Sequence, residues 1–163
     1  EQTAYIKNGY TLSVGQELRL DFSHNGGNRA GGIFVGLMPM EGIRSNYINV
    51  YAEANGTIYT RGFNGTTEMS IASAANADYT TMFIRRYGEY DYLAGFYDAS
   101  GAEKILKDRI GLVFGGTSDI VIGLYTDIRA AGTIGVGDNL AIVPEPATLL
   151  LLGLGAVALR KRK

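Results

Sequence analysis

The sequence predicts an all-β protein, built as a two-sheet antiparallel sandwich or a barrel and followed by a short hydrophobic helix. Apolar and polar residues alternate with period two in segment after segment, which is typical of half-buried strands. Clusters of Gly, Asn and Asp separate these segments, and the 163 residues include 23 Gly and 11 Tyr. Many short strands without helices between them favour two packed sheets or a closed barrel.

The predicted strands follow one another closely, and we expect eleven or twelve of them. The clearest alternation places Leu18, Leu20 and Phe22 on one face of a strand and charged residues on the other. The nine clearest predicted strands cover residues 17–23, 48–53, 57–61, 67–72, 81–86, 93–97, 109–114, 120–125 and 133–142. Turns are predicted at Asn55-Gly56, at Asn64-Gly65 and at 98–101, because these residue types accept turn geometries. Residues 102–108 fit one helical turn, and 71–77 fit either a helix or a strand.

Composition and charge exclude several classes of function. The chain is 46% hydrophobic and 19% charged, which is a folding composition. It has no Cys, so it has no disulfide, thiolate zinc site, iron–sulfur cluster or cysteine nucleophile. Its single His, His24, excludes sites with several histidines. Before Pro144 there are fifteen acidic and eleven basic residues. An acidic body lacks the positive surface that nucleic acids require, so nucleic-acid binding is disfavoured.

The last 21 residues have three parts in order. Two prolines end any β-ladder, since proline has no N–H to donate. Residues 147–159 are uncharged and rich in Leu and Ala, and four cations follow. A helix of thirteen residues is only about 20 Å long, but terminal Arg and Lys can extend to lipid headgroups. The prolines flank one acid, and these residues and the cations are Pro144, Glu145, Pro146, Arg160, Lys161, Arg162 and Lys163.

These three parts closely resemble the PEP-CTERM sorting signal of Gram-negative and related bacteria. The resemblance implies an exported protein whose tail is processed by an exosortase, a membrane transpeptidase. It also implies anchoring in the inner membrane before processing, then release to the cell surface or an extracellular polysaccharide matrix. The alternative is a final core helix with a solvated basic end, but 147–159 lacks the polar face that such a helix shows. The first residues lack the apolar core of a signal peptide, so we expect the sequence to begin after a cleaved leader or to be trimmed.

The second half of the chain carries a further resemblance. Residues 82–98 form an Arg- and Tyr-containing hairpin pattern that precedes a hydrophobic segment at 120–127 and a last segment at 137–142. This order resembles the concanavalin A-like, laminin-G-like jelly-roll sandwiches, although Gly137 and Leu140 stand where those proteins usually have aromatic residues. The resemblance implies a jelly-roll sandwich at 1–142, followed by the sorting segment at 143–163.

The tyrosines of the hairpin near residue 90 are the best candidates for ligand binding. Tyrosine rings stack on sugar faces, and alternation would place Tyr90 and Tyr92 on one face of a strand. The charged residues beside these tyrosines would form hydrogen bonds to sugar hydroxyls at the rim of the site. The alternative is that these tyrosines cover the core. The candidate residues are Tyr87, Tyr90, Tyr92, Arg86, Glu89 and Asp91, and Tyr97 belongs to the same aromatic set.

Related sandwiches often bind structural calcium through loop carboxylates. Asp127 and Asp138 are the candidates for such a site in this sequence. Glu89 and Asp91 are the closest carboxylate pair, but they read as a solvated turn rather than a catalytic pair. We therefore predict no catalytic residues. The leading hypothesis is an exported, non-catalytic protein of the envelope or extracellular matrix, with a glycan-binding or matrix-structural role. The alternative is a polysaccharide hydrolase or lyase of the same fold.

Overall fold

A computed structural model describes residues 2–7, 11–25, 29–36, 47–53, 56–64, 67–75, 77–111, 121–127 and 134–144. Apart from the turns and connections between them, these residues form strands in two antiparallel sheets. The strands are β1 (Gln2–Lys7), β2 (Gln16–Asn25), β3 (Arg29–Gly36), β4 (Tyr47–Glu53), β5 (Ile58–Asn64), β6 (Thr67–Ala74), β7 (Tyr79–Arg86), β8 (Asp91–Asp98), β9 (Glu103–Gly111), β10 (Val121–Asp127) and β11 (Ile134–Pro144).

One sheet has six strands in the order β1-β10-β3-β4-β5-β6, and the other has five in the order β11-β2-β7-β8-β9. Along the described strands the chain crosses repeatedly from one sheet to the other, so both sheets pack around a common core. This arrangement confirms the predicted all-β, two-sheet antiparallel jelly-roll sandwich. The predicted C-terminal helix lies outside the described residues.

The core between the sheets comes from one face of each strand. In β2 the period-two alternation buries Leu18, Leu20 and Phe22, as the sequence predicts. Equivalent positions of β3, β4, β7 and β8 meet them from both sheets. The largest buried side chains of this core are Leu12, Leu18, Leu20, Ile33, Ile48, Ile58, Met82, Ile84 and Tyr92. Each such side chain contributes about 1.5–3 kcal/mol of burial free energy.

The turns that the sequence predicts lie where the structure connects strands. Gly56, with φ of 77°, joins β4 to β5, and its N–H donates to Glu53 O at 3.1 Å. Gly101, with φ of 81°, follows β8, and its N–H donates to Asp98 O at 2.8 Å. Asn64 pairs with Thr67 across the β5–β6 connection.

The helical turn expected at 102–108 is wrong, because these residues lie almost entirely in β9. Register shifts in its pairing with β8, between Tyr92 and Ala94 and between Ala94 and Gly95, blur the period-two pattern that would have revealed this strand. The ambiguous segment at 71–77 begins as part of β6 and ends after it.

Candidate ligand-binding site

The site predicted from the sequence lies at the turn between β7 and β8. The N–H groups of Tyr87 and Gly88 both donate to Asp91 O, at 3.1 and 3.3 Å, and close the turn. Tyr87 and Tyr90 are 38% and 45% exposed. A hydrogen bond to Glu89 is the main cause that raises the pKa of the Tyr90 phenol. These rings are accessible at the surface.

Tyr92 does not share a face with Tyr90, so that prediction is wrong. Strand β8 begins at Asp91, and Tyr90 lies in the preceding bend where strand alternation does not apply. Tyr92 is fully buried between the sheets, and this burial raises the pKa of its phenol. The alternative interpretation, a core tyrosine, is confirmed for Tyr92.

Arg86 holds the turn together and is not presented at its rim. Its guanidinium donates to Leu12 O at 2.9 Å and to Glu89 O at 2.7 Å. A longer bond of 3.3 Å reaches Gly88 O. Because Arg86 links the turn to the loop before β2, its loss would disturb structure before it affected a ligand.

A charged cluster that the sequence analysis does not predict lies on the outer face of the five-stranded sheet. We call Glu17, Arg19, Arg85, Tyr97 and Glu103 the Glu17 cluster. Glu17 and Arg19 alternate with the core residues of β2 and therefore face away from the core. Antiparallel pairing sets Glu17 directly opposite Arg85 of β7.

Glu17 is fully buried and accepts hydrogen bonds from three neighbours. Arg85 Nε donates to Glu17 Oε2 at 2.7 Å, and the Tyr97 hydroxyl donates to Glu17 Oε1 at 3.0 Å. Arg19 Nε donates to the same Oε1. Arg85 Nη2 also lies 2.5 Å from an oxygen of Glu103, which is one third exposed. The buried carboxylate is thus compensated by two guanidinium groups.

Tyr97 connects this cluster to the ring of Phe83 on the neighbouring strand β7. Its ring lies 5.1 Å from the ring of Phe83, and the Arg19 guanidinium lies 4.8 Å from its centroid. Phe83 lies opposite Gly95, where an added Cβ would come within 2.8 Å of the ring, so only glycine leaves room. Burial, together with the charge and hydrogen bond of Glu17, raises the pKa of Tyr97 to about 12.

Next to the Glu17 cluster lies a polar groove of about 450 Å³, which we call the β2–β7 groove. Asp21 lines this groove, and there Thr81 Oγ1 donates to Asp21 Oδ1 at 2.6 Å and Asn139 Nδ2 donates to Asp21 Oδ2 at 2.9 Å. These two bonds lower the pKa of Asp21, so its carboxylate stays charged. The groove is lined by Arg19, Asp21, Thr80, Thr81, Tyr97, Gly101, Asn139 and Ala141.

Asn139 reaches the groove from an irregular part of β11. The pairing of β11 with β2 shifts register between Asp138 and Ala141, and Asn139 there has a φ of 54°. Asparagine tolerates this left-handed conformation better than most residues. The bulge sends the Asn139 side chain towards Asp21, which a regular strand would not achieve at this position.

The two calcium candidates lie in different sheets. Asp127 ends β10 of the six-stranded sheet, and Asp138 lies in β11 of the five-stranded sheet. Asp138 Oδ1 accepts the N–H of Asn139 at 2.7 Å. In the described part of the chain, no three His, Asp or Glu side chains group closely enough to hold a metal ion. A calcium site at these residues stays a prediction.

A second crevice, of about 430 Å³, opens between the edge strands β6 and β9. Its walls are largely alanine with Phe96, Ile105 and Leu106, and Asp78, Asp98 and Lys104 border it. Asp98 is engaged by its own turn, where it accepts the N–H groups of Ser100 and Ala102. This crevice offers fewer prearranged polar groups than the β2–β7 groove.

One signal in the sequence could have indicated the groove. Glu17, Arg19 and Asp21 occupy every second position of one strand, so they share its polar face. Such a row of charged residues fits a binding surface as well as a solvent-exposed one. The remaining groups come from β7, β8 and β11, so only the strand order brings them together.

Comparison with protein families identifies the end of the chain. Residues 143–163 match the PEP-CTERM protein-sorting motif, which confirms the predicted sorting signal. The motif implies export through membrane-associated sorting and processing by an exosortase-type membrane enzyme. Val143 and Pro144 are described, as the end of β11; Glu145, Pro146 and the four terminal cations lie outside the described residues. Among the described residues, no helix has the length and apolar character needed to cross a membrane.

Comparison with solved structures finds similarity to the galectin LEC-6 of Caenorhabditis elegans, with a TM-score of 0.46 and 12% sequence identity. The match covers 84% of this chain and 90% of the galectin chain. No curated protein sequence matches this chain.

Proposed function

We propose that this protein is a non-catalytic glycan-binding protein that is exported to the cell surface or extracellular matrix, and that the β2–β7 groove is its binding site. The observation that carries the proposal is the arrangement around Asp21, where Thr81 and Asn139 hold a charged carboxylate in an open polar groove. Its volume of about 450 Å³ lies within the usual range for small-molecule sites.

The polar groups of the groove suit sugar hydroxyls, which both donate and accept hydrogen bonds. Asp21 supplies acceptor oxygens, and Asn139 and Thr80 supply groups that can act in either sense. Arg19 adds a charged donor beside Asp21, and its charge helps to lower the pKa of the Asp21 carboxyl. Because Thr81 and Asn139 already hold Asp21 in place, little ordering cost remains when a ligand binds. The groove therefore favours a neutral sugar over a strongly charged one.

The sorting signal supports the location that we propose. Export through membrane-associated sorting brings the sandwich to a compartment rich in polysaccharide, and an extracellular polysaccharide is the partner that we propose. We propose a surface or matrix position after the exosortase-type enzyme has acted.

The Glu17 cluster supports a non-catalytic role. A retaining glycosidase needs two carboxyl groups about 5–5.5 Å apart with the sugar between them. Glu17 and Glu103 lie near each other, but Arg85 Nη2 stands between them, 2.5 Å from an oxygen of each. The raised pKa of Tyr97 also makes its phenol a poor base for a lyase reaction. The predicted hydrolase or lyase alternative remains the rival proposal.

The test uses the full chain in mild detergent on an array of bacterial polysaccharides, followed by calorimetry on the hits. The informative variant is Asn139→Gly, since glycine accepts the φ of 54° and only the amide is lost. We expect affinity to fall about 5- to 30-fold, which corresponds to about 1–2 kcal/mol.

The matched control is Tyr90→Ala at the β7–β8 turn, which we expect to change affinity less than about two-fold. The reverse result would place the site at the turn. A reducing-sugar assay on the same polysaccharides runs in parallel. Turnover that Glu103→Gln abolishes would establish the enzyme alternative, and a wild-type chain that binds no polysaccharide would contradict the proposal.

A further inference from the structure

The sorting motif begins inside the folded sandwich. The match starts at Val143, whereas β11 continues to Pro144. Val143 pairs with Glu17 of β2, and Pro144 pairs with Gln16. The first two residues of the matched motif are therefore already engaged in a β-sheet, with no linker between the sandwich and the motif.

We call residues 141–144 the β11 tip, and its attachment to the sheet is limited. The register shift after Asp138 separates the tip from the rest of β11. Among the described strands, β11 lies at the edge of its sheet and pairs with β2 alone. Ala141 and Pro144 are exposed, and Ile142 packs against the core. Pro144 has no N–H to donate to β2.

The strand beneath the tip is fixed much more firmly. Glu17, the partner of Val143, is fully buried and bound by two guanidinium groups and a phenol. Leu18, the partner of Ile142, is a fully buried core residue. Opening at this point would therefore release the tip and leave β2 in place, which is local rather than global unfolding.

We propose that the β11 tip has to separate from β2 before the exosortase-type enzyme can engage the sorting motif, so that the fold itself limits the rate of processing. Enzymes and receptors that read extended peptides pair with the peptide backbone and enclose its side chains. A tip that is paired with β2 presents only one backbone edge and hides the other. Only the fraction of molecules with an open tip is then a competent substrate.

A reversible lock tests this proposal. The chain contains no Cys, so Leu18→Cys with Ile142→Cys introduces a single possible disulfide across the tip. Directly opposed residues of antiparallel strands have Cα atoms about 4.5–5.5 Å apart, which a disulfide can span. The full chain is incubated with membranes of a bacterium that carries an exosortase, and mass spectrometry follows the processed product. We expect at least ten-fold slower processing when the pair is oxidised, with recovery on reduction.

The matched control locks the same two strands beyond the bulge, with Ser23→Cys and Val136→Cys, which also face each other. Its oxidation should change the rate less than two-fold. Equal rates for the oxidised and reduced tip lock would overturn the proposal, because the enzyme would then bind the outer edge of the folded strand.

A second variant does not depend on the core substitution at Leu18. A flexible five-residue Gly/Ser insert between Ile142 and Val143 frees the motif from the sheet without altering it. We expect processing to become at least three-fold faster. An unchanged rate would overturn the proposal, and so would a wild-type chain that these membranes leave unprocessed. None of these outcomes depends on glycan binding, which the array measures separately.

Discussion

The outer faces of the two sheets are stabilised by different kinds of contact. On the five-stranded sheet, a buried carboxylate is held by two guanidinium groups and a phenol. On the six-stranded sheet, Tyr51 and Tyr59 stack with ring centroids 5.2 Å apart and planes 11° apart. Arg61 lies 5.2 Å from the Tyr51 centroid, and Tyr51 is almost fully buried.

The charged face is stabilised by individual ion pairs and hydrogen bonds, whereas the aromatic face is stabilised by the contact area between rings. An unpaired buried charge is very costly, so the buried Glu17 carboxylate needs its two guanidinium partners. A stacked pair loses only part of its contact when one ring is replaced by another apolar side chain. The charged face is therefore better suited to a specific polar site, and the aromatic face is better suited to tolerate substitution.

The largest effect should come from removing the centre of the charged face. Glu17→Ala leaves Arg85, whose side chain is only 12% exposed, and Arg19 without their shared carboxylate. We expect the free energy of unfolding to fall by about 3–5 kcal/mol. Urea unfolding followed by circular dichroism measures it. Glu103→Gln, at a one-third exposed position, should cost less than about 1 kcal/mol. Equal losses for the two variants would contradict the central role of Glu17.

The aromatic face should respond more mildly. Tyr59→Leu removes one ring of the stack on Tyr51 and keeps an apolar side chain in its place. We expect a loss of about 0.5–1.5 kcal/mol in the same urea titration. A loss as large as that of Glu17→Ala would erase the contrast between the two faces.

Alkaline pH should weaken the charged face through Tyr97. Its folded-state pKa of about 12 exceeds the ordinary value of 10.0, so its contribution to stability is complete below pH 10 and is lost as the pH rises towards 12. Partial exposure limits the effect to about 1 kcal/mol. Unfolding free energies of wild type and Tyr97→Phe, measured from pH 8 to 12, should converge as the pH rises.

Tyr79 provides the control for this titration. Burial raises the pKa of Tyr79 to about 12, so Tyr79→Phe reports on a second tyrosine of raised pKa that lies outside the Glu17 cluster. A wild-type profile that stays parallel to that of Tyr97→Phe would show that Tyr97 is not responsible.

The smallest effect should follow deletion of residues 147–163. That segment shows no polar face in its sequence, so we expect the sandwich to fold without it. The melting temperature should change by less than about 2 °C, with the cooperative transition retained. Loss of the cooperative transition would mean that the segment packs against the sandwich, and the aromatic face of the six-stranded sheet would be the first place to look.

The sequence predicts the β-class and most strand positions because period-two alternation survives wherever a strand has one buried face. It does not predict the first part of β9, residues 103–108, where bulged pairing disturbs that period. The sorting signal was recognised because its residues are contiguous. The β2–β7 groove was not, because Asp21, Thr81 and Asn139 meet only through strand order and a bulge in β11. The sequence analysis places Tyr92 on the wrong face because it extends the strand back to Tyr90, whereas β8 begins at Asp91.

The register shifts at both edges of the five-stranded sheet have a consequence for crowded copies of the protein. A regular edge strand invites another chain to add to it, and such additions build fibres. Here the edge strands β9 and β11 are both bulged, and β9 carries the charged residues Glu103, Lys104, Lys107 and Asp108. An interrupted ladder with fixed charges offers a poor template. Copies concentrated at a surface should therefore not grow into a continuous sheet through the edges of the five-stranded sheet.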